Sequence, residues 1–168
     1  MVFNEEFGRS EVSSQSCGEL IRYCVTEDGS YFLSIDKFRN PFACKLKVNQ
    51  EELGNVQEVT VDLVETFNYL LGLKVKKLKA RKNNGVKYIF VLGEKEGKLV
   101  AVVWREYKET WTDEDFLKDQ EFIVKELTLW NPQVIYINGL YTLPPKLNES
   151  LVEVRSIEPE FKKLMENE

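Results

Sequence analysis

Residues 61–73 read V-D-L-V-E-T-F-N-Y-L-L-G-L, and in this stretch the local signals agree. Leu63, Val64, Phe67, Leu70 and Leu71 recur at steps of three and four, which lays a wide apolar stripe along one side of an α-helix. Asp62 stands at the N-cap position with Glu65 three residues on, and Gly72 stands where a left-handed residue closes a helix. A helix of roughly ten residues is marginal alone. The spacing therefore predicts a sheet or further helices that cover Phe67 and its neighbours.

After Gly72 the pattern turns to strands. Residues 74–82 are strongly basic with Val75, Leu78 and Ala80 interleaved, and residues 86–92 and 99–105 are rich in β-branched and aromatic types. A glycine-containing loop over 93–98 joins the last two as a hairpin. V-A-V-V-W at 100–104 is apolar almost without a break, which suits a central strand covered on both faces. Thr112 with Asp113, Glu114 and Asp115 begins a second helix. Its buried side carries Phe116, Leu117, Ile123, Val124 and Leu127, and Asn131-Pro132 ends it. Residues 134–138 are a strand, 143–145 a stiff loop, 151–156 a strand, and Pro159 fits the first turn of a last helix displaying Phe161, Leu164 and Met165.

Before the quoted helix the signals are weaker. Residues 1–17 form a flexible lead-in, and residues 18–168 a single domain. Residues 18–26 suit helix or strand, 27–30 is a turn by composition, and 31–35 and 43–48 are short strands around a corner at Asn40-Pro41-Phe42. Residues 49–55 are a polar connection, and 57–61 lead into the helix. The order helix, three strands, helix, strand, strand, helix describes an α/β domain: a mixed β-sheet with packed helices.

Composition narrows the function classes. The 168 residues are 43% hydrophobic and 30% charged with a net charge of -5, so contact with nucleic acid must come from a local basic face and not from bulk charge. The sequence holds no apolar run long enough for a bilayer and no secretion leader, and a cytoplasmic location is expected. Histidine is absent, which removes the commonest general base near neutrality. Cys17, Cys24 and Cys44 lack zinc spacing and are read as reduced thiols.

The run 61–73 resembles a segment of the C-terminal, non-catalytic region of type III restriction-modification DNA methyltransferases, the adenine-specific modification subunits. Four further segments agree in order: N-P-F-A-C-K-L-K-V at 40–48, V-L-G with G-K-L-V-A-V-V-W-R over 91–105, V-I-Y-I-N-G at 134–139, and I-E-P-E-F-K-K-L-M at 157–165. The resemblance covers residues from about Leu20 onward. It implies an accessory domain, either a separate small protein or the remnant of a split gene, whose partner is a methyltransferase or restriction subunit.

No catalytic signature accompanies it. Amino-methyltransferases hold a flipped base with an Asp/Asn/Ser-Pro-Pro-aromatic tetrapeptide. Here the Pro-Pro pair stands in Leu143-Pro144-Pro145-Lys146, wrong at both outer positions, and no glycine-rich turn after an opening strand offers a place for S-adenosylmethionine. No cofactor and no metal are expected, and the chain alone is read as no enzyme. The element order also resembles the core of restriction-endonuclease-like nucleases, which hold a divalent metal on acidic residues of the second and third core strands. V-K-Y-I-F-V-L has no carboxylate, and Arg105-Glu106 ends the third strand without the lysine spacing. The alternative reading is a degenerate or altered nuclease.

One conspicuous basic run remains: Lys74, Lys76, Lys77, Lys79, Arg81 and Lys82. As a strand it points Lys77, Lys79 and Arg81 to one face, where they could meet successive DNA phosphates. The competing reading is a charged edge strand, since edge lysines discourage pairing with another chain. Trp104 and Tyr107 belong to the core. Trp111 and Trp130, at helix boundaries, are the candidates for an exposed partner surface. A homo-oligomer through an exposed strand edge is a third reading.

Overall fold

The computed structural model describes residues 40–43, 45–49, 56–60 and 62–167. The expected lead-in over 1–17, the segment 18–26, the turn at 27–30, the strand at 31–35 and all three cysteines lie outside them. The Asn40-Pro41-Phe42 corner is a 3-10 turn, Pro41–Ala43, closed by the Ala43 N–H on the Asn40 carbonyl at 3.2 Å. β1 (Lys45–Asn49) and β2 (Val56–Thr60) pair antiparallel as a small separate sheet. The sequence reading has only a lead-in where β2 lies. V-Q-E-V-T is a weak strand sequence alone, and its partner is β1.

The quoted stretch forms α1 (Leu63–Leu71), and its ends are the ones the sequence specifies. Asp62 accepts from the Glu65 N–H at 3.0 Å, and Gly72 adopts φ 70. Then follow β3 (Lys74–Asn83), β4 (Val86–Lys95), β5 (Lys98–Arg105), α2 (Asp113–Thr128), β6 (Val134–Ile137), a two-residue hairpin β7 (Lys146–Leu147) and β8 (Ser150–Leu151), β9 (Glu153–Ser156) and α3 (Ile157–Glu166). One five-stranded mixed sheet in the order β3-β4-β5-β6-β9 carries three helices. β3, β4 and β5 run antiparallel, while β5, β6 and β9 are parallel neighbours. Parallel neighbours need a long crossover, and α2 supplies it between β5 and β6.

The alternation of side chains along each strand builds two cores. On one face Ile89, Val91, Val102, Trp104 and Tyr136 meet α1 and α3. On the other Tyr88, Phe90, Val103, Ile135 and Ile137 meet Ile123 and Leu127 of α2. The result is three layers, helices on both faces of the sheet. Phe67 is fully buried, with its ring 5.9 Å from Trp104, 5.6 Å from Tyr136 and 5.6 Å from Phe161. The cover that α1 required is thus β5, β6 and α3.

Three expectations are corrected. The hairpin loop is not 93–98 but a two-residue turn, because Glu96 (φ 52) and Gly97 (φ 77) form the mirror-image turn that matches strand twist. Gly93 sits inside β4, where a Cβ would meet Leu73 Cγ at 2.5 Å and the Lys74 carbonyl at 2.9 Å. Leu117, expected on the buried side of α2, is 52% exposed. Ile123 and Leu127 face the sheet two and three turns on, and Leu117 lies off that line. Residues 151–156 split at Val152 between β8 and β9. Among the described residues no helix is long and apolar enough to cross a membrane.

Candidate functional site

β3 lies at the edge of the sheet, as the charged edge-strand reading requires. Lys74, Lys76, Lys77 and Lys82 are exposed. Lys76 is 2.6 Å from Glu94 of the neighbouring strand. A register shift between Val75 and Lys77 interrupts the alternation, so the basic run does not simply divide into two faces.

The row Lys77, Lys79 and Arg81 is not open along its length. Lys79 is 4% exposed, with Nζ 3.5 Å from Glu126 Oε2 and 4.6 Å from the centre of the Trp130 ring. Arg81 Nε lies 3.7 Å from the same carboxylate oxygen. This face of β3 looks onto α2, which brings Glu126 to both cations. Of that row Lys77 is exposed, Arg81 partly so and Lys79 buried. Trp130, expected as an exposed surface, is instead covered by Lys79 and by Phe90, whose ring is 6.5 Å away.

A second polar group gathers where β5 and β6 end, at the carboxyl ends of the parallel strands. Arg105, the last residue of β5, is fully buried. Its Nη1 and Nη2 donate to the Asn138 and Leu140 carbonyls, and its Nε lies 3.1 Å from Asp119 Oδ1. Asn138 extends the ladder beyond β6 with its side chain. It accepts from the Arg105 N–H at 2.9 Å and donates to the Arg105 carbonyl at 2.8 Å. Tyr88 donates to Asp119 Oδ1 at 2.7 Å, and the Gly139 N–H donates to Glu158 at the start of α3 at 2.6 Å. One guanidinium therefore ties together β5, the loop after β6 and α2.

Burial sets the titration of this group. It pushes the Asp119 carboxyl up, against the opposing pull of Arg105 and of the Tyr88 hydrogen bond. Burial, joined by the Asp119 charge and its hydrogen bond, pushes the Tyr88 phenol far up. It also lowers Arg105, which Asp119 works to keep charged. These shifts oppose proton exchange by Tyr88 near neutrality. The ion pair and its hydrogen bonds fix the ends of β5 and β6 against α2.

Above Tyr88 and Asp119 opens a depression of about 240 Å³. Asn83 and Asn84, the end of β3 and its turn, make one wall. Lys108, Thr110 and Trp111 from the segment after β5 make another, and the first turns of α2 contribute Asp115 and Lys118. Trp111 is half-buried, with Tyr107 at 5.6 Å, Phe116 at 5.4 Å and the Arg105 guanidinium 5.5 Å from its ring centre. Asp115 is occupied in the capping box with Thr112, and its carboxyl is held down by those hydrogen bonds. Lys118 pairs with Glu114 at 3.1 Å. Among the described residues no group of three His, Cys, Asp or Glu is placed to hold a metal ion.

Sequence reasoning did not single out Tyr88, Asp119 or Asn138. One signal was present: Asp119 falls between Phe116 and Ile123 on the buried stripe of α2, and a carboxylate in such a stripe needs a cation or hydroxyl to meet it. Comparison with known proteins finds no matching family model, no matching curated protein and no matching solved structure.

Proposed function

We propose that this chain is a non-catalytic accessory domain of a type III restriction-modification DNA methyltransferase, acting in the cytoplasm beside a catalytic methyltransferase or restriction subunit and touching the DNA backbone through the outer edge of β3. The observation that carries the reading is the division of the sheet. The interior strands β4 and β5 bury Phe90, Val91, Val102, Val103 and Trp104, while exposed cations collect on the edge strand. Lys74, Lys77 and Lys82 are the cations available to phosphates, since Lys76 faces Glu94 and Lys79 faces Glu126. A second copy paired edge to edge through β3 would set lysine against lysine, which favours a polyanion over a homodimer there.

The run α1, β3, β4, β5, α2, β6 also supports kinship with the restriction-endonuclease-like core. Such nucleases carry their metal-binding carboxylates on the second and third core strands; β4 and β5 are apolar over 88–92 and 99–104, and Glu94 near the end of β4 is paired with Lys76. Fold kinship of this kind does not carry activity with it.

Titration of labelled duplex DNA at two salt concentrations tests the reading. The wild-type chain binds at low salt and loses affinity as salt rises, and the combined change Lys74→Ser, Lys77→Ser, Lys82→Ser removes most of that dependence. Absence of binding at low salt, or a triple variant that binds as the wild type does, refutes the DNA contact. Methyl transfer to DNA from S-adenosylmethionine by the chain alone refutes its non-catalytic character.

A further inference from the structure

We infer that the depression beside Trp111 is a nucleobase pocket, which takes one unstacked base of a single strand whose backbone lies along the edge of β3. The inference rests on the nucleic-acid reading above and adds a base contact to it. Position is the first argument. The wall made by Asn83 and Asn84 is the continuation of β3, so a strand rising about 3.3 Å per residue leads from Lys77 to the depression over roughly 20 Å.

The lining chemistry is the second. Trp111 is a flat aromatic surface fixed by Tyr107, Phe116 and the guanidinium of Arg105, and Arg105 is itself immobilised by Asp119, Asn138 and Leu140. Such a surface is organised before a ligand arrives. Asn84 is exposed and Asn83 half-buried, and each side-chain amide offers both a donor and an acceptor, as the edge of a base does.

Charge is the third argument, and it selects the base over a phosphate. Lys118 is matched by Glu114 and Asp119 by Arg105, so Lys108 and Asp115 are left to offset each other. A near-neutral lining does not concentrate anions. A volume of about 240 Å³ is below the roughly 300–1,000 Å³ of pockets for drug-sized ligands and suits a single heterocycle. Together the edge would hold phosphates and the depression would stack a base, the division of labour common in single-strand binding.

The test compares a short oligothymidylate with an abasic strand of the same length, which carries the same phosphates and no bases. The oligothymidylate binds roughly 5- to 150-fold more tightly, the worth of one stacked base, and that ratio does not change with salt although both affinities fall. Trp104 is fully buried and Trp130 is 8% exposed, so the part of the tryptophan quenching on binding that Trp111→Leu removes reports Trp111. Trp111→Leu abolishes the ratio. Asn84→Gly keeps the left-handed turn (φ 52), removes one amide and lowers the ratio several-fold, which keeps the test valid where the tryptophan variant misfolds. Equal binding of the two strands by the wild type, or an unchanged ratio in Asn84→Gly and in a folded Trp111→Leu, overturns the pocket and leaves the phosphate contact standing. Binding of neither strand at low salt also overturns the pocket, and the duplex titration above decides the phosphate contact separately.

Discussion

Replacing Arg105 by methionine separates the ion pair from the rest of the fold, because the apolar stem is kept and only the guanidinium is lost. Asp119 is 3% exposed and would be left with the Tyr88 hydroxyl as its hydrogen-bond donor. Removing one partner of a buried pair costs about 3–5 kcal/mol, and the buried Asn138 carbonyl, deprived of Nη1, adds about 1–3 kcal/mol. At about 2–4 °C per kcal/mol for a chain of this size, Tm falls by on the order of 10 °C or more. The loss has a pH signature. Burial already raises the Asp119 carboxyl, and without Arg105 it rises further. A carboxyl raised in the folded state favours folding below its ordinary value near 3.9 and loses that contribution as pH climbs through the folded value. The deficit of Arg105→Met is therefore smallest in acid and largest at neutrality. Circular-dichroism melts of wild type, Arg105→Met and Arg105→Met/Asp119→Asn across this range check it. The double variant regains part of the loss at neutral pH, since the uncompensated charge is gone. A deficit below about 1 kcal/mol, or one equally large at every pH with no recovery in the double variant, refutes the assignment of the penalty to Asp119.

Gly93→Ala pushes a methyl against Leu73 Cγ at 2.5 Å and the Lys74 backbone at 2.9 Å, so chemical denaturation shows a loss of about 1–3 kcal/mol; an unchanged midpoint means the α1–β3 connection yields freely. Lys79→Met keeps an apolar stem against Trp130 and leaves Arg81 beside Glu126, at a cost below about 1.5 kcal/mol. Lys79→Glu sets a buried carboxylate against the partly buried Glu126 and costs about 3 kcal/mol or more at neutral pH. Equal stability of the two variants in the same denaturant series contradicts the pairing across β3 and α2.

What the sequence makes legible is what neighbours in the chain decide. Asp62, the stripe through Phe67 and Gly72 specify α1 within one turn at each end, and Thr112 with Asp115 does the same for the start of α2. The unread features depend on distant residues. Gly93 looks like a loop glycine until Leu73 is seen crossing it. Lys79 looks like an edge lysine and Trp130 like a boundary aromatic, and each conceals the other because α2 folds back over β3, bringing Glu126 to a lysine 47 residues away. Asp119 meets Arg105 and Tyr88 only once α2 has crossed from β5 to β6. Patterning shows which side of a helix is buried, not which charge waits beneath it.

That distinction bears on how the basic run is counted. Six cations stand between residues 74 and 82, and a reading from composition credits all six to a polyanion. The fold takes Lys79 and Arg81 for Glu126 and Lys76 for Glu94, leaving Lys74, Lys77 and Lys82. For duplex DNA the salt slope of log affinity is about 0.9 per phosphate neutralised, so three contacts give a slope near 2.7 and six a slope near 5.4. Those values are far enough apart for one titration series to separate. A slope near the lower value fits the domain as folded. A slope near the higher one requires Glu126 to release Lys79 and Arg81 and Glu94 to release Lys76 on binding, and because Lys79 also covers Trp130, the first release would appear as a fluorescence change that persists in Trp111→Leu.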